Sequence, residues 1–278
     1  MSGRIEIGRV GVWVGGAPDA ELAAGLDELG YGAIWIGSSP GGDLGEVERI
    51  LAATSRIAVA TGIVNVWRDD AADIAAAFHR LADSYPGRFL LGIGAGHPEA
   101  TSDYTKPYDA LVRYLDGLDA GGVPKDQRVL AALGPKVLRL AGERTAGAHP
   151  YLVTPEHTRR ARELLGSDPL LAPEQHVVLD ADVARARALA RTALGTYLGL
   201  RNYTSNWRRL GFTDADLADG GSDRLIDSVV ALGDASRIAA RVTEHLQAGA
   251  DHVCIQLISP RDQDKLAAFA ELAAQLPT

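Results

Sequence analysis

One cysteine stands in the whole 278-residue chain, and a lone thiol makes neither an internal disulfide nor a cysteine metal cluster. Cys254 lies in the apolar run 253–258, which assigns it to buried filler rather than to a nucleophile. No stretch approaches the ~18 uninterrupted apolar residues of a membrane span. The opening Met1-Ser2-Gly3-Arg4 has no apolar core of the kind a signal peptide carries. A cytoplasmic location without membrane association is therefore expected. Positive charge is scarce as well: Lys and Arg number 28 against 36 Asp and Glu, a formal net charge of −8. A nucleic-acid partner is not expected, because such binders carry a basic stripe. No low-complexity tract interrupts the chain.

What is present is an alternation of short apolar runs with helical patterns. Strands are expected at 10–14, 33–36, 57–63, 89–93, 128–132, 148–153, 176–179 and 251–257. Between them run helical stripes, such as Ile74, Phe78, Leu81 and Tyr85 within 71–85, stopped by Pro86-Gly87. Eight such units predict an α/β fold, a (β/α)8 TIM barrel of one domain over 1–278. A doubly wound open sheet is the alternative. Residues 182–248 read as helical with one irregular insert, and about 200–233 is too long for a plain connection between strands seven and eight. It suggests a lid or a subunit contact over the barrel mouth.

In such barrels the working groups sit at the C-terminal strand ends. Glycines crowd that rim: Gly15-Gly16, Gly37-Ser38, Gly62, the series Gly92, Gly94 and Gly96, and Gly134. His97 follows the series at once, with Pro98 biasing it toward an extended conformation. Charged groups are few, and His-x-x-x-His and Glu-x-x-His spacings are missing there, so no metal site is expected and a metal hydrolase is disfavoured. A bare, weakly charged mouth suits a flat aromatic cofactor. Leu133-Gly134-Pro135 opens a helix with proline at its first position, which is either a phosphate site or a plain helix start. Asn65 could hydrogen-bond a heterocycle edge, and Trp67 could wall the site or pack under a loop. Tyr203, Trp207 and Arg208 either close over the substrate or lie on a solvated face. His97 is the best proton carrier, since imidazole titrates near neutrality, and His149 is a second candidate.

These residues resemble the luciferase-like flavin and deazaflavin oxidoreductases, a TIM-barrel superfamily, and above all its coenzyme F420 branch. The resemblance runs nearly end to end. It rests on Tyr31-Gly32-Ala33-Ile34-Trp35, on Ser84-Tyr85-Pro86-Gly87-Arg88-Phe89-Leu90-Leu91-Gly92-Ile93-Gly94, and on Gly233-Asp234 leading to Ala248-Gly249-Ala250-Asp251-His252-Val253. Leu133-Gly134-Pro135 together with 149–157 is similar to a subgroup largely found in actinobacteria. The resemblance implies a non-prolyl cis peptide at Gly62-Ile63, with Ile63 as a backstop to the ring. It also implies ring and ribityl contacts from Ser38, Asn65, Gly94, Ala95 and Gly96, and phosphate contacts from the amides of Leu133 and Gly134. A homodimer is implied too.

Two departures stand out. Gly37-Ser38 replaces the Asp-His that many F420-dependent dehydrogenases carry at strand two. His97 replaces the glutamate of the sugar-phosphate dehydrogenase relatives, so alcohol oxidation by that acid/base pair is in doubt. The expected function is an F420-dependent oxidoreductase passing a hydride between the deazaflavin C5 and a small organic substrate, with His97 managing the proton. An FMN-dependent monooxygenase is one alternative. A non-catalytic cofactor-binding protein is the other.

Overall fold

The computed structural model describes residues 3–97, 106–260 and 263–277. Pro98 lies outside the described residues. The strands are β1 (Val10–Val14), β2 (Ala33–Ile36), β3 (Ala58–Thr61), β4 (Val64–Asn65), β5 (Phe89–Gly94), β6 (Arg128–Leu130), β7 (Gly147–Ala148), β8 (Leu170–Leu171), β9 (Glu174–Leu179), β10 (Val230–Gly233) and β11 (Val253–Leu257). The helices are α1 (Ala20–Glu28), α2 (Gly45–Ala53), α3 (Ala71–Ser84), α4 (Pro107–Ala120), α5 (Pro135–Arg144), α6 (Pro155–Leu165), α7 (Val183–Leu198), α8 (Arg201–Arg209), α9 (Asp214–Leu217), α10 (Asp223–Val229), α11 (Ala235–Gln247) and α12 (Lys265–Ala273). Among the described residues no helix is long and apolar enough to cross a membrane.

All the strand pairs are parallel, in the order β10-β9-β11-β1-β2-β3-β5-β6-β7-β8, with β4 beside β5. The two ends meet through one segment. Leu170 N–H donates to the Ala146 carbonyl at 2.7 Å and Glu174 N–H to that of Pro150 at 2.8 Å. From Glu174 onward the same segment pairs with β11 instead. The sheet is thus curled and barrel-like, as the strand–helix alternation predicted in outline.

The two faces of the curled sheet are sorted by the period-two alternation of strand side chains. Outward positions such as Ile34, Ile36, Val59, Phe89 and Leu91 pack under the helices. Inward positions include several small residues, among them Ala33, Ala58, Ala60, Ala172 and Cys254. Trp35 fills the space these leave and is fully buried. At ~25 cal/mol per Å2, burying such a ring contributes roughly 5 kcal/mol. Its indole N–H donates to His252 Nε2 at 3.1 Å. Cys254 is buried as expected, and burial holds its thiol well above the usual range.

The span 182–248 departs from the sequence reading. It holds a strand, β10, which pairs with the outer half of β9 from Val230↔His176 to Gly233↔Leu179. The stretch Val229 to Leu232 is a short apolar run, and such runs fit a helix end and a buried strand equally. Helices α7 to α10 bury their own cluster, including Leu194, Trp207, Phe212 and Ile226, against Leu152 and Val178. Strand boundaries also contract: 148–153 is strand only at Gly147–Ala148, and 57–63 divides into β3 and β4 around Gly62-Ile63.

Candidate functional site

A cavity of about 590 Å3 opens at the C-terminal ends of the strands, within the usual range for small-molecule sites. Ile63, Ala95 and His97 converge on it. So do Ser38, Gly62 and Asn65 from one side and Gly96, Leu133 and Gly134 from the other. The Gly62–Ile63 peptide bond is cis. Gly94 does not line the cavity. It is buried behind Ile63, and a Cβ there would lie 2.9 Å from Ile63 Cγ1.

The glycine series therefore has three separate causes rather than one. At Gly92 a Cβ would meet the Thr61 carbonyl oxygen at 1.8 Å, because Thr61 Oγ1 bonds both the Gly92 carbonyl and its N–H at 2.8 Å. Gly94 makes room for Ile63. Gly96 has φ +61 and faces the Asn65 side chain, so its backbone needs a glycine. Trp67 does not wall the site; its indole N–H donates to the Ala95 carbonyl at 2.7 Å and braces that turn.

Strand two ends without the acid/base pair for a visible reason. A Cβ on Gly37 would stand 2.1 Å from Cζ2 of Trp13, so the indole already fills that flank. Trp13 lines the cavity, tilted against Tyr151 at 5.1 Å. The run Gly37-Ser38-Ser39-Pro40-Gly41 has the spelling of a hydrolase nucleophile elbow. Its Ser39 carbonyl accepts from Arg68 at 2.5 Å, and Ser38 Oγ donates to the Gly15 carbonyl at 2.7 Å.

Two histidines face the cavity in different states. His149 is buried, its Nδ1–H donates to the Ala172 carbonyl at 2.7 Å, and burial lowers its pKa to about 4. It is neutral near pH 7, with Nε2 as an unpartnered acceptor, and does not carry a proton as an acid there. His97 is half-buried. Its Nδ1 lies 3.2 Å from Asn202 Nδ2, and its ring is 5.4 Å from Tyr203. Trp207, by contrast, is core, donating to the Leu152 carbonyl at 3.3 Å. Arg208 is bound to Asp214 at 2.8 Å.

The start of α5 presents free amides, since its N-cap Gly134 supplies no side-chain cap and Pro135 has no N–H. His157 Nε2–H donates to the Leu133 carbonyl at 3.0 Å. Carbonyl and following N–H point oppositely across a trans peptide, so Gly134 N–H faces away from His157. Lys136 adds the cavity's one basic side chain among the described residues.

Tyr151, Tyr197 and Glu174 gave no signal as site residues in the sequence, whereas Tyr203 did. Tyr151 donates to Gln256 Oε1 at 2.8 Å and lies 2.8 Å from the Tyr197 hydroxyl. Tyr203 completes this aromatic wall, edge-on to Tyr197 at 5.1 Å. Beneath it Glu174 is fully buried, accepting from Leu152 N–H at 3.0 Å and from His176 Nδ1 at 2.7 Å. Leu152 is held at φ +53 next to Tyr151.

The family described as luciferase-like monooxygenase matches residues 17–118. No curated protein sequence is significantly similar to the chain. Among solved structures, an F420-dependent secondary alcohol dehydrogenase in complex with an F420-acetone adduct has a TM-score of 0.75 at 15% identity, covering 98% of this chain and 99% of that one. The coenzyme F420-dependent tetrahydromethanopterin reductase from Methanopyrus kandleri has a TM-score of 0.69 at 16% identity, over 98% of each chain. The oxygenating constituent of 3,6-diketocamphane monooxygenase from Pseudomonas putida, in complex with FMN, has a TM-score of 0.67 at 17% identity, over 98% and 99%. These structures share the fold of this chain over nearly its whole length, and they include two F420-dependent enzymes and one in complex with FMN.

Proposed function

We propose that the chain is an oxidoreductase that takes a deazaflavin of the F420 type into the strand-end cavity. The observation that carries this reading is the convergence of Ile63, Ala95 and His97 on one cavity that also reaches the uncapped start of α5. The residues fit such a group. Ile63, Ala95, Ala131 and Ala132 offer flat apolar contact, and Ser38 and Asn65 offer hydrogen bonds. The Gly134 amide and Lys136 suit a phosphate. When bound, the deazaflavin would supply a hydride donor or acceptor at C5; the protein supplies orientation, a dry site and a proton.

The proton falls to His97, because His149 is held neutral and no Asp-His pair ends strand two. The phenolic wall of Tyr151, Tyr197 and Tyr203 faces a small organic substrate and excludes water. Residues 200–233 act as the lid in this reading, with α8 bringing Asn202 and Tyr203 to the cavity. A homodimer belongs to the same reading and is tested by light scattering. The central test is titration with F420 and its reduced form. Saturable fluorescence quenching at micromolar coenzyme is expected, and its absence overturns the proposal.

The FMN-bound neighbour favours a second reading, a monooxygenase supplied with reduced FMN. Oxygen uptake dependent on reduced FMN, with no response to F420, would select it. Tight binding without turnover over a broad substrate panel, unchanged in His97→Ala, would instead mark a cofactor carrier.

A further inference from the structure

We propose that Asn202 is a positioning residue for His97, fixing which ring nitrogen holds the proton; this rests on the reading of His97 as the proton carrier. The two residues are 105 positions apart, and α8 brings the amide to the imidazole at 3.2 Å. As placed, the amide N–H donates to Nδ1, which must then be the bare nitrogen of the neutral ring. The proton of that ring sits on Nε2. Asn202 Oδ1 is buried and has no hydrogen-bond partner.

That unpartnered oxygen gives the amide a second use. When the ring gains a proton, Nδ1 becomes a donor and can no longer face an N–H. A half-turn of the amide brings Oδ1 to Nδ1–H, and it breaks no bond that Oδ1 now makes. Asn202 therefore has a partner atom for each protonation state of His97. An aspartate would match only the protonated ring or the Nδ1–H form, and a leucine neither. In a reduction, the protonated ring gives its Nε2 proton to the substrate atom that gains electron density as the hydride arrives at the neighbouring carbon, and is left neutral with Nδ1–H on Asn202 Oδ1. The substrate gains one hydride and one proton, the cofactor is oxidised by two electrons, and the ring is left to take a proton from solvent.

Tyr203 on the same helix lies tilted against the ring at 5.4 Å, and burial keeps its phenol protonated. Lys136 lines the same cavity. The hydrogen bond to Nδ1 from α8 is the one that Asn202 makes.

The test is ring-nitrogen NMR of the full chain labelled with 15N-histidine, in wild type, Asn202→Asp and Asn202→Leu. His97→Gln assigns the signal among the seven histidines. We expect the wild-type His97 proton on Nε2. In Asn202→Asp we expect it on Nδ1, with the His97 pKa at least one unit higher. In Asn202→Leu we expect a mixture of tautomers. Hydride-transfer rates should then show a pH limb that moves with the aspartate variant, while coenzyme affinity stays within threefold. An unchanged tautomer and pKa in both variants, with native circular dichroism, overturns the assignment of Asn202. A shifted tautomer in a protein that binds no deazaflavin or flavin would leave the positioning role intact and overturn the proposed function instead.

Discussion

The imidazole of His149 lies flat on the indole of Trp35, with ring centroids 4.1 Å apart and planes 15° from parallel. Burial that deep keeps the ring uncharged, and His157, His245 and His252 are held the same way, with pKa values lowered to about 4, 3 and 4. These groups together make the fold acid-sensitive.

The sign follows from proton counting. Each ring titrates near 6.5 in the unfolded chain and far lower in the folded one, so between those values the unfolded state holds more protons. Their stabilising effect is complete above pH 6.5 and is lost as pH falls toward 4. Each histidine contributes up to about 1.4 kcal/mol per pH unit in that window. Urea midpoints measured from pH 8 to pH 4.5 should be flat at first and then fall steeply below 6.5. A midpoint constant down to pH 5 contradicts this.

His97→Gln should leave F420 affinity within threefold and slow hydride transfer by about 10²- to 10⁴-fold, the usual range for a lost general acid or base. Single-turnover bleaching of the reduced coenzyme separates the two effects. An equal fall in affinity would mean that the imidazole holds the ring rather than the proton.

Gly94→Ala tests the support behind Ile63. The added methyl would lie 2.9 Å from Ile63 Cγ1 and 3.1 Å from Ala131 Cβ, so Ile63 must shift toward the cavity. A loss of about 1–3 kcal/mol in stability is expected from overpacking, with coenzyme affinity falling at least tenfold. Thermal melts and fluorescence titration read the two separately.

Gly37→Ala should destabilise the fold by more than ~2 kcal/mol, because its Cβ would collide with the Trp13 indole. In a Trp13→Ala background the same change should be nearly neutral. A double-mutant cycle by urea unfolding that returns no coupling would show that the indole does not block that strand end.

The positions of the strands and of the mouth were legible because both leave local marks. Strand cores such as 10–14 and 33–36 are apolar on both faces, as a parallel sheet between two layers demands. The uncapped start of α5 is written in Gly134-Pro135, and the cis bond at Gly62-Ile63 came from resemblance to a family, not from any local propensity. Strand β10 was missed because four apolar residues after an amphipathic helix do not declare a period.

The sequence by itself determined the alternation of strands and helices and the bare rim with His97 beside it, since each depends on neighbours a few positions away. Only the tertiary structure decided that Trp13 fills the flank of Gly37, that Gly94 lies behind Ile63, and that Asn202 meets His97 from 105 residues away. Those are contacts between elements joined only by the closure of the sheet and the packing of α8. No local pattern encodes them, because their geometry is set by how distant layers fit together.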